Sequence, residues 1–216
     1  MAGAHTSLSD LALTYLREKI QNCEFMPGDF LSEKELCEEI GCGRTPVREA
    51  LLTLKGEGLI EIFPRRGIRV TPFTRVGICE IYQIRKLIEP AVCTRYFLRF
   101  DKGRLLEFDR QFQQIDQEDD RAYYTLDFSF HRWLVGAAEN ETLDAFFSGL
   151  MQRQYHFAMY TARMGTAVKR NYYSEHHEII EALLDENSER IGTALTAHAN
   201  YSEIIALRTL TEAGIQ

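Results

Sequence analysis

The sequence predicts a mainly α-helical chain in two domains: a helix-turn-helix with a small β-hairpin wing over residues 1–72, and an all-helical bundle of six helices over residues 73–216. Three observations carry that reading. Two amphipathic segments flank the tight turn Gly41-Cys42-Gly43, apolar spacing switches from helical to alternating in LIEIFPRRGIRV, and beyond Pro72 only Pro90 interrupts a long run of helical periodicity.

Taken in order, Ser7 to about Cys23 places Leu8, Leu11, Ala12, Tyr15, Leu16 and Ile20 on one helical face, and ends before the Pro27-Gly28 turn. Ser32 is expected to cap a short helix through Ile40, with Glu35 as its capping-box partner. A third helix starts near Thr45-Pro46, where proline is tolerated because first-turn amides have no intrahelical acceptor, and runs to Gly56 or Gly58. In the following segment Ile60 and Ile62 face inward around Glu61, Ile68 and Val70 flank an outward Arg69, and Pro64 to Gly67 reverses the chain. The remaining helices are expected at Arg75 to Phe100, Lys102 to Glu118, Asp120 to Ala138, Glu141 to Met164, Val168 to Glu186 and Ser188 to Glu212.

Composition narrows the function classes. No basic start precedes an apolar run at the N-terminus, and no stretch of about 18 uncharged apolar residues occurs, so a cytoplasmic protein without membrane spans is expected. Five cysteines with no C-x-x-C pair argue against a disulfide framework and a thiolate zinc knuckle. The net charge of −7 conceals a local excess of the opposite sign. From Ile40 to Arg75, seven basic residues (Arg44, Arg48, Lys55, Arg65, Arg66, Arg69, Arg75) face three acidic ones (Glu49, Glu57, Glu61). That pattern suits double-stranded DNA as a partner.

On the third helix Val47, Leu51 and Leu54 fall on the core face, which leaves Arg44, Arg48 and Lys55 on another. Arginine near the start of a recognition helix can reach guanine O6 and N7 in the major groove, and Thr45 is placed for a phosphate or base contact. At the wing tip, Arg65-Arg66-Gly67 combines close backbone approach with basic flanks, as phosphate or minor-groove contact requires. The bland alternative for both is a solvated basic surface.

In RAYYTLDFSFHRWLVGAAEN, Asp127 and His131 stand four residues apart on an otherwise apolar face, so both side chains turn inward. His176 and His198 lie on two further helices, and the four together form a set able to hold one ion. Hydrogen-bonded core histidines are the alternative. His177 reads as an exposed neighbour of His176, His156 as core or pocket rim, and His5 as part of a flexible arm.

The segment LSEKELCEEIGCGRTPVREALLTLKGEGLIEIFPRRGIRV resembles the GntR family of bacterial winged-helix repressors. That resemblance implies operator contacts by Arg44, Thr45 and Arg48, with lesser ones from Lys34 and from Gly67 at the wing, beside Arg66. Gly43 departs from the family's usual serine or threonine, removing a helix cap and a phosphate contact. Further on, IYQIRKLIEPAV, DFSFHRWLV, SEHHEIIEALL and ALTAHANYSE resemble the FCD effector domain of the FadR-type branch, in its shorter VanR-like form. The likeness implies Asp127, His131, His176 and His198 as ligands of a divalent metal ion, zinc by default, with nickel, iron or manganese as alternatives. It also places Arg85 near the pocket, where it can pair a small carboxylate effector; the alternative is an intrahelical pair with Glu89. Tyr155 and Asn200 are weaker candidates for pocket lining. The resulting expectation is a homodimeric repressor released from a roughly palindromic operator by a small organic acid. A metal-dependent hydrolase is disfavoured because H-E-x-x-H is absent, and a metal-free, effector-binding regulator stands as the other alternative.

Overall fold

The structure is a computed structural model that describes residues 7–116, 119–165 and 172–215. The chain divides between Phe73 and Thr74 into two compact units.

The first unit runs α1 (Leu8–Gln21), β1 (Phe30–Leu31), α2 (Glu33–Ile40), α3 (Arg44–Gly56), β2 (Ile60–Phe63) and β3 (Gly67–Val70). A capping box starts α1, with Asp10 N donating to Ser7 Oγ at 3.0 Å and Ser7 N to Asp10 Oδ2 at 3.2 Å. The capping box expected at Ser32 does not form. Ser32 occupies the N-cap position of α2, but its hydroxyl makes no cap bond. Gly43 caps α3 by backbone alone, so that helix begins at Arg44, one residue earlier than its sequence suggests. Leu16, Ile20, Leu36, Val47, Leu51, Leu54, Ile60, Ile68 and Val70 close a single apolar cluster.

The wing is the antiparallel pair β2 and β3, with Ile60 opposite Val70 and Ile62 opposite Ile68. Glu61 and Arg69 also stand opposite, and Arg69 Nη2 donates to Glu61 Oε2 at 2.6 Å. β1 adds a third strand on β3, giving the order β1-β3-β2. Two residues carry no alternation, which is why β1 was not expected.

The second unit contains α4 (Arg75–Tyr96), α5 (Lys102–Gln114), α6 (Asp120–Gly136), α7 (Glu141–Arg163), α8 (Tyr172–Leu184) and α9 (Ser188–Glu212). The first expected span, to Phe100, gives way after Tyr96 to a 3-10 turn at Phe97–Arg99. The second stops at Gln114, short of its expected end at Glu118, which lies outside the described residues. So do the expected start of the fifth at Val168 and the arm bearing His5. Side-chain caps from Asp101, Asn140 and Asn187 fix the starts of α5, α7 and α9. α4 packs chiefly on α9, α6 on α7, and α5 on α8. The core joins Leu105, Phe108, Phe112, Tyr123, Phe130, Leu134, Ile179 and Ile180, and Trp133 packs at its edge with ring centroids 5.1 Å from Phe100 and 5.3 Å from Phe108. No helix among the described residues is long and apolar enough to cross a membrane.

Gly67 shows how tightly the wing is built. Its φ is +101°, and a Cβ there would lie 3.0 Å from the Leu31 carbonyl oxygen of β1. Gly67→Ala should therefore cost about 1–3 kcal/mol locally. Amide exchange in β1 and β3 should accelerate accordingly while exchange in α8 is unchanged; equal rates in the wing would show that the strand relaxes without cost.

Candidate functional site

α6 carries Asp127 and His131 one helical turn apart, both buried against the bundle interior. α8 brings His176 and α9 brings His198 to the same place, also buried. Ligand atoms of the four residues all lie within 4.8 Å of one another. Asp127 Oδ1 is the hub, 3.1 Å from His176 Nε2, 3.6 Å from His131 Nε2 and 3.3 Å from the Tyr123 hydroxyl that donates to it. Phe112 stacks on the His176 ring at 4.1 Å and Phe130 packs edgewise against it, so core aromatics set that ring's orientation.

Outer carboxylates orient two of the imidazoles. His131 Nδ1 is 2.7 Å from Glu89 Oε2 on α4, and His198 Nδ1 is 3.1 Å from Glu175 Oε2 on α8. An ionised carboxylate only accepts, so each neutral ring carries its proton on Nδ1 and turns an Nε2 lone pair inward. His131 Nε2 is fully buried and makes no hydrogen bond, which a buried polar nitrogen tolerates only at a cost. A divalent ion would satisfy it. Three imidazoles and one carboxylate, walled by helices, fit zinc, nickel, iron or manganese.

Burial alone would raise both nearby carboxyl groups, but charge outweighs it. Arg85 and protonated His131 hold Glu89 at about 2, and His131 and His176 in their protonated forms hold Asp127 well below the usual carboxylate range, whereas an ion would take the place of those inward protons.

Arg85 itself is fully buried and makes the intrahelical pair with Glu89. Its Nε pairs with Glu89 Oε1, Nη2 reaches Glu89 Oε2 at 3.4 Å, and Nη1 donates to Gln154 Oε1 on α7 at 2.9 Å. Three of its five N–H bonds are thereby engaged. A continuous buried chain thus runs Gln154, Arg85, Glu89, His131.

The pocket candidates fare unevenly. Tyr155 is half-buried, packing against Phe128 with its hydroxyl 3.5 Å from Thr125 Oγ1. Asn200 is exposed, which corrects its expected place in a pocket lining: two residues beyond His198 on α9, it is turned about 200° away. His156 is buried, with its pKa pushed down to about 4 by burial, and half-buried His177 bonds to Asp109 at 2.8 Å. Sequence reasoning missed the supporting roles of Glu89, Glu175 and Gln154. Only the adjacency of Glu175 to His176, and the four-residue step from Arg85 to Glu89, hinted at them.

On the first unit, Arg44, Thr45 and Arg48 share the exposed start of α3, and Lys55 is exposed at its other end. Lys34 is exposed on α2, 3.7 Å from Glu38. Arg65 and Arg66 are exposed in the wing turn, next to Gly67. Arg48 Nε donates to Glu33 Oε2 at 2.9 Å.

Comparison with known proteins covers both units. Residues 8–70 match the description "Bacterial regulatory proteins, gntR family", and residues 80–201 match "FCD domain". The chain is 26% identical to an uncharacterized HTH-type transcriptional regulator, YdhC, of Bacillus subtilis over 191 residues, 86% of this chain and 85% of that one. It is 27% identical over 199 residues to the gluconate operon transcriptional repressor of the same organism, covering 88% and 80%. Among solved structures, a transcriptional regulator GntR from Rhodococcus sp. RHA1 superposes with a TM-score of 0.77 at 25% identity, covering 92% of this chain and 97% of that one. E. coli McbR/YncC has the same fold, with a TM-score of 0.76 at 22% identity and coverage of 93% and 97%.

Two outcomes follow from the buried charges. Arg85→Ala leaves Glu89 as an uncompensated buried carboxylate and should lower stability by about 3–5 kcal/mol, read as a lower denaturation midpoint. Glu175→Ala removes the acceptor that orients His198 and should weaken divalent-ion affinity roughly 10- to 100-fold in competition with a chromophoric chelator. Unchanged affinity would dismiss Glu175 as a support.

Proposed function

This chain belongs to the GntR family of bacterial regulatory proteins, in the branch that carries an FCD domain, and from that premise we propose that it is a repressor whose helical bundle holds a divalent metal ion and senses a small organic acid. DNA-binding transcriptional regulation is the family's activity, and its members are regulators rather than enzymes. The observation that carries the finer reading is the convergence of Asp127, His131, His176 and His198, all buried, with two Nδ1 atoms bonded to carboxylates.

An ion held by these residues supplies a Lewis-acidic anchor for an oxygen ligand, which suits a carboxylate. The chain contributes the rest. Glu89 and Glu175 keep His131 and His198 in the ligating tautomer, and Arg85 keeps Glu89 ionised. Arg85's two uncommitted N–H bonds are what it offers to a carboxylate effector; Tyr155 stands farther out as a candidate contact. A relative named for the gluconate operon fits an effector of the sugar-acid class. In the DNA-binding unit, Arg44 and Arg48 read bases, Thr45, Lys34 and Arg66 approach phosphates, and Gly67 lets the wing backbone come close. Two copies, each presenting its α3, would read the halves of a palindromic operator, and effector and operator would weaken each other's binding by one shared coupling free energy.

The experiment has two arms. Gently purified protein should carry about one divalent ion per chain, and chelation should lower its melting temperature. A duplex selected from a randomised library should bind wild type far better than a scrambled duplex, and Arg44→Ala or Arg48→Ala should reduce that preference roughly tenfold. Metal-free protein with no thermal response to zinc or nickel would favour the metal-free regulator; unaltered preference in both variants would remove these arginines from base reading.

A further inference from the structure

The clearest unassigned feature outside the metal centre is an acidic side chain set into the basic reading surface. Glu33 opens α2 on the stripe formed with Leu36, Cys37 and Ile40, the face turned towards the first unit's core. Its side chain is 29% exposed, against 78% for Lys34 and 66% for Glu38, so it is sheltered where its neighbours are not. A carboxylate in the first turn is also favoured by the partial positive charge of the helix N-terminus. Its partner is Arg48, one turn along α3 from Arg44, and the bond is made through Nε at 2.9 Å.

Which nitrogen is used matters. Arg132 and Arg69 each engage a carboxylate through Nε and Nη2 together, which occupies that edge of the fork. Arg48 gives Glu33 its Nε alone, and among the described residues no bond is made by its Nη1 or Nη2. An arginine can grip guanine O6 and N7 either edge-on, with Nε and one terminal nitrogen, or end-on, with both terminal nitrogens. Occupation of Nε removes the edge-on mode and sets the plane in which the end-on mode operates.

We propose that Glu33 is a positioning residue that determines base specificity: by holding Arg48 Nε it presents both terminal nitrogens of the guanidinium end-on to a guanine. This rests on the reading of Arg48 as a base contact. The arrangement trades affinity for discrimination, because a carboxylate close to the phosphates repels all DNA alike while a fixed fork rewards one base pair. Glu33 would then weaken binding to unrelated sequence and strengthen the distinction between sequences.

The test uses the full-length protein and the duplex selected from a randomised library by wild type, with a scrambled duplex as the reference. Glu33→Ala, which leaves Arg48 Nε no acceptor at that position, should bind the scrambled duplex at least as well as wild type, yet lose roughly tenfold in the ratio of selected to scrambled affinity. Base-by-base substitution should place that loss at the pairs where Arg48→Ala loses preference. In an Arg48→Ala background the same change should alter the ratio by no more than about twofold. Merely structural damage would weaken both duplexes together, and Glu33→Asp, which keeps the charge, should recover part of the ratio. An unchanged ratio overturns the proposal, and so does a full tenfold loss that persists without Arg48. Should wild type itself fail to prefer any selected duplex, the base-reading assignment of α3 falls first, an outcome visible before any variant is made.

Discussion

The bundle is organised around the pairing of Arg85 with Glu89, a complete ion pair removed from water inside α4. Two charges in that position are stable only if each finds further partners, and both do: Arg85 reaches Gln154 across to α7, and Glu89 takes the Nδ1–H of His131 on α6. Three helices are therefore tied by one polar chain through an otherwise apolar interior. Apolar residues of similar volume would pack there as well, so the pair contributes little net stability of its own. The pair also fixes the orientation of His131, whose Nε2 is fully buried and makes no hydrogen bond.

The two functional surfaces use charge in opposite ways. In the bundle, histidines and carboxylates are sealed from water, so each proton's position is fixed by its partner and small displacements are felt strongly. On α3 the arginines stand in solvent, where the pairing of Arg48 with Glu33 is weak and screened.

Sequence legibility follows this division. α9 was readable to the residue because its periodicity is unbroken and Asn187 caps it, and the wing was readable from alternation about a Pro-to-Gly turn. β1 was not, because two residues have no period and owe their strand to β3. Ser32 occupied its predicted N-cap position without its predicted bond, since nearness in sequence does not orient a hydroxyl. The Asp127, His131, His176 and His198 set could be assembled from spacing because each member lies on the inward face of a long helix. Glu89 and Glu175 gained their roles from tertiary neighbours that no helical repeat encodes, while Asn200 was misplaced although its distance from His198 along the helix already turned it outward.

The position of Trp133 has an optical corollary. It is the chain's single tryptophan, on α6 two residues beyond His131, with its ring against Phe100 and Phe108. The winged unit contains none, so tryptophan emission from this protein is a property of the bundle alone. Its wavelength reports the polarity around α6, and if the proposed ion is bound, quenching by nickel, with its part-filled d shell, but not by zinc would tell the two apart.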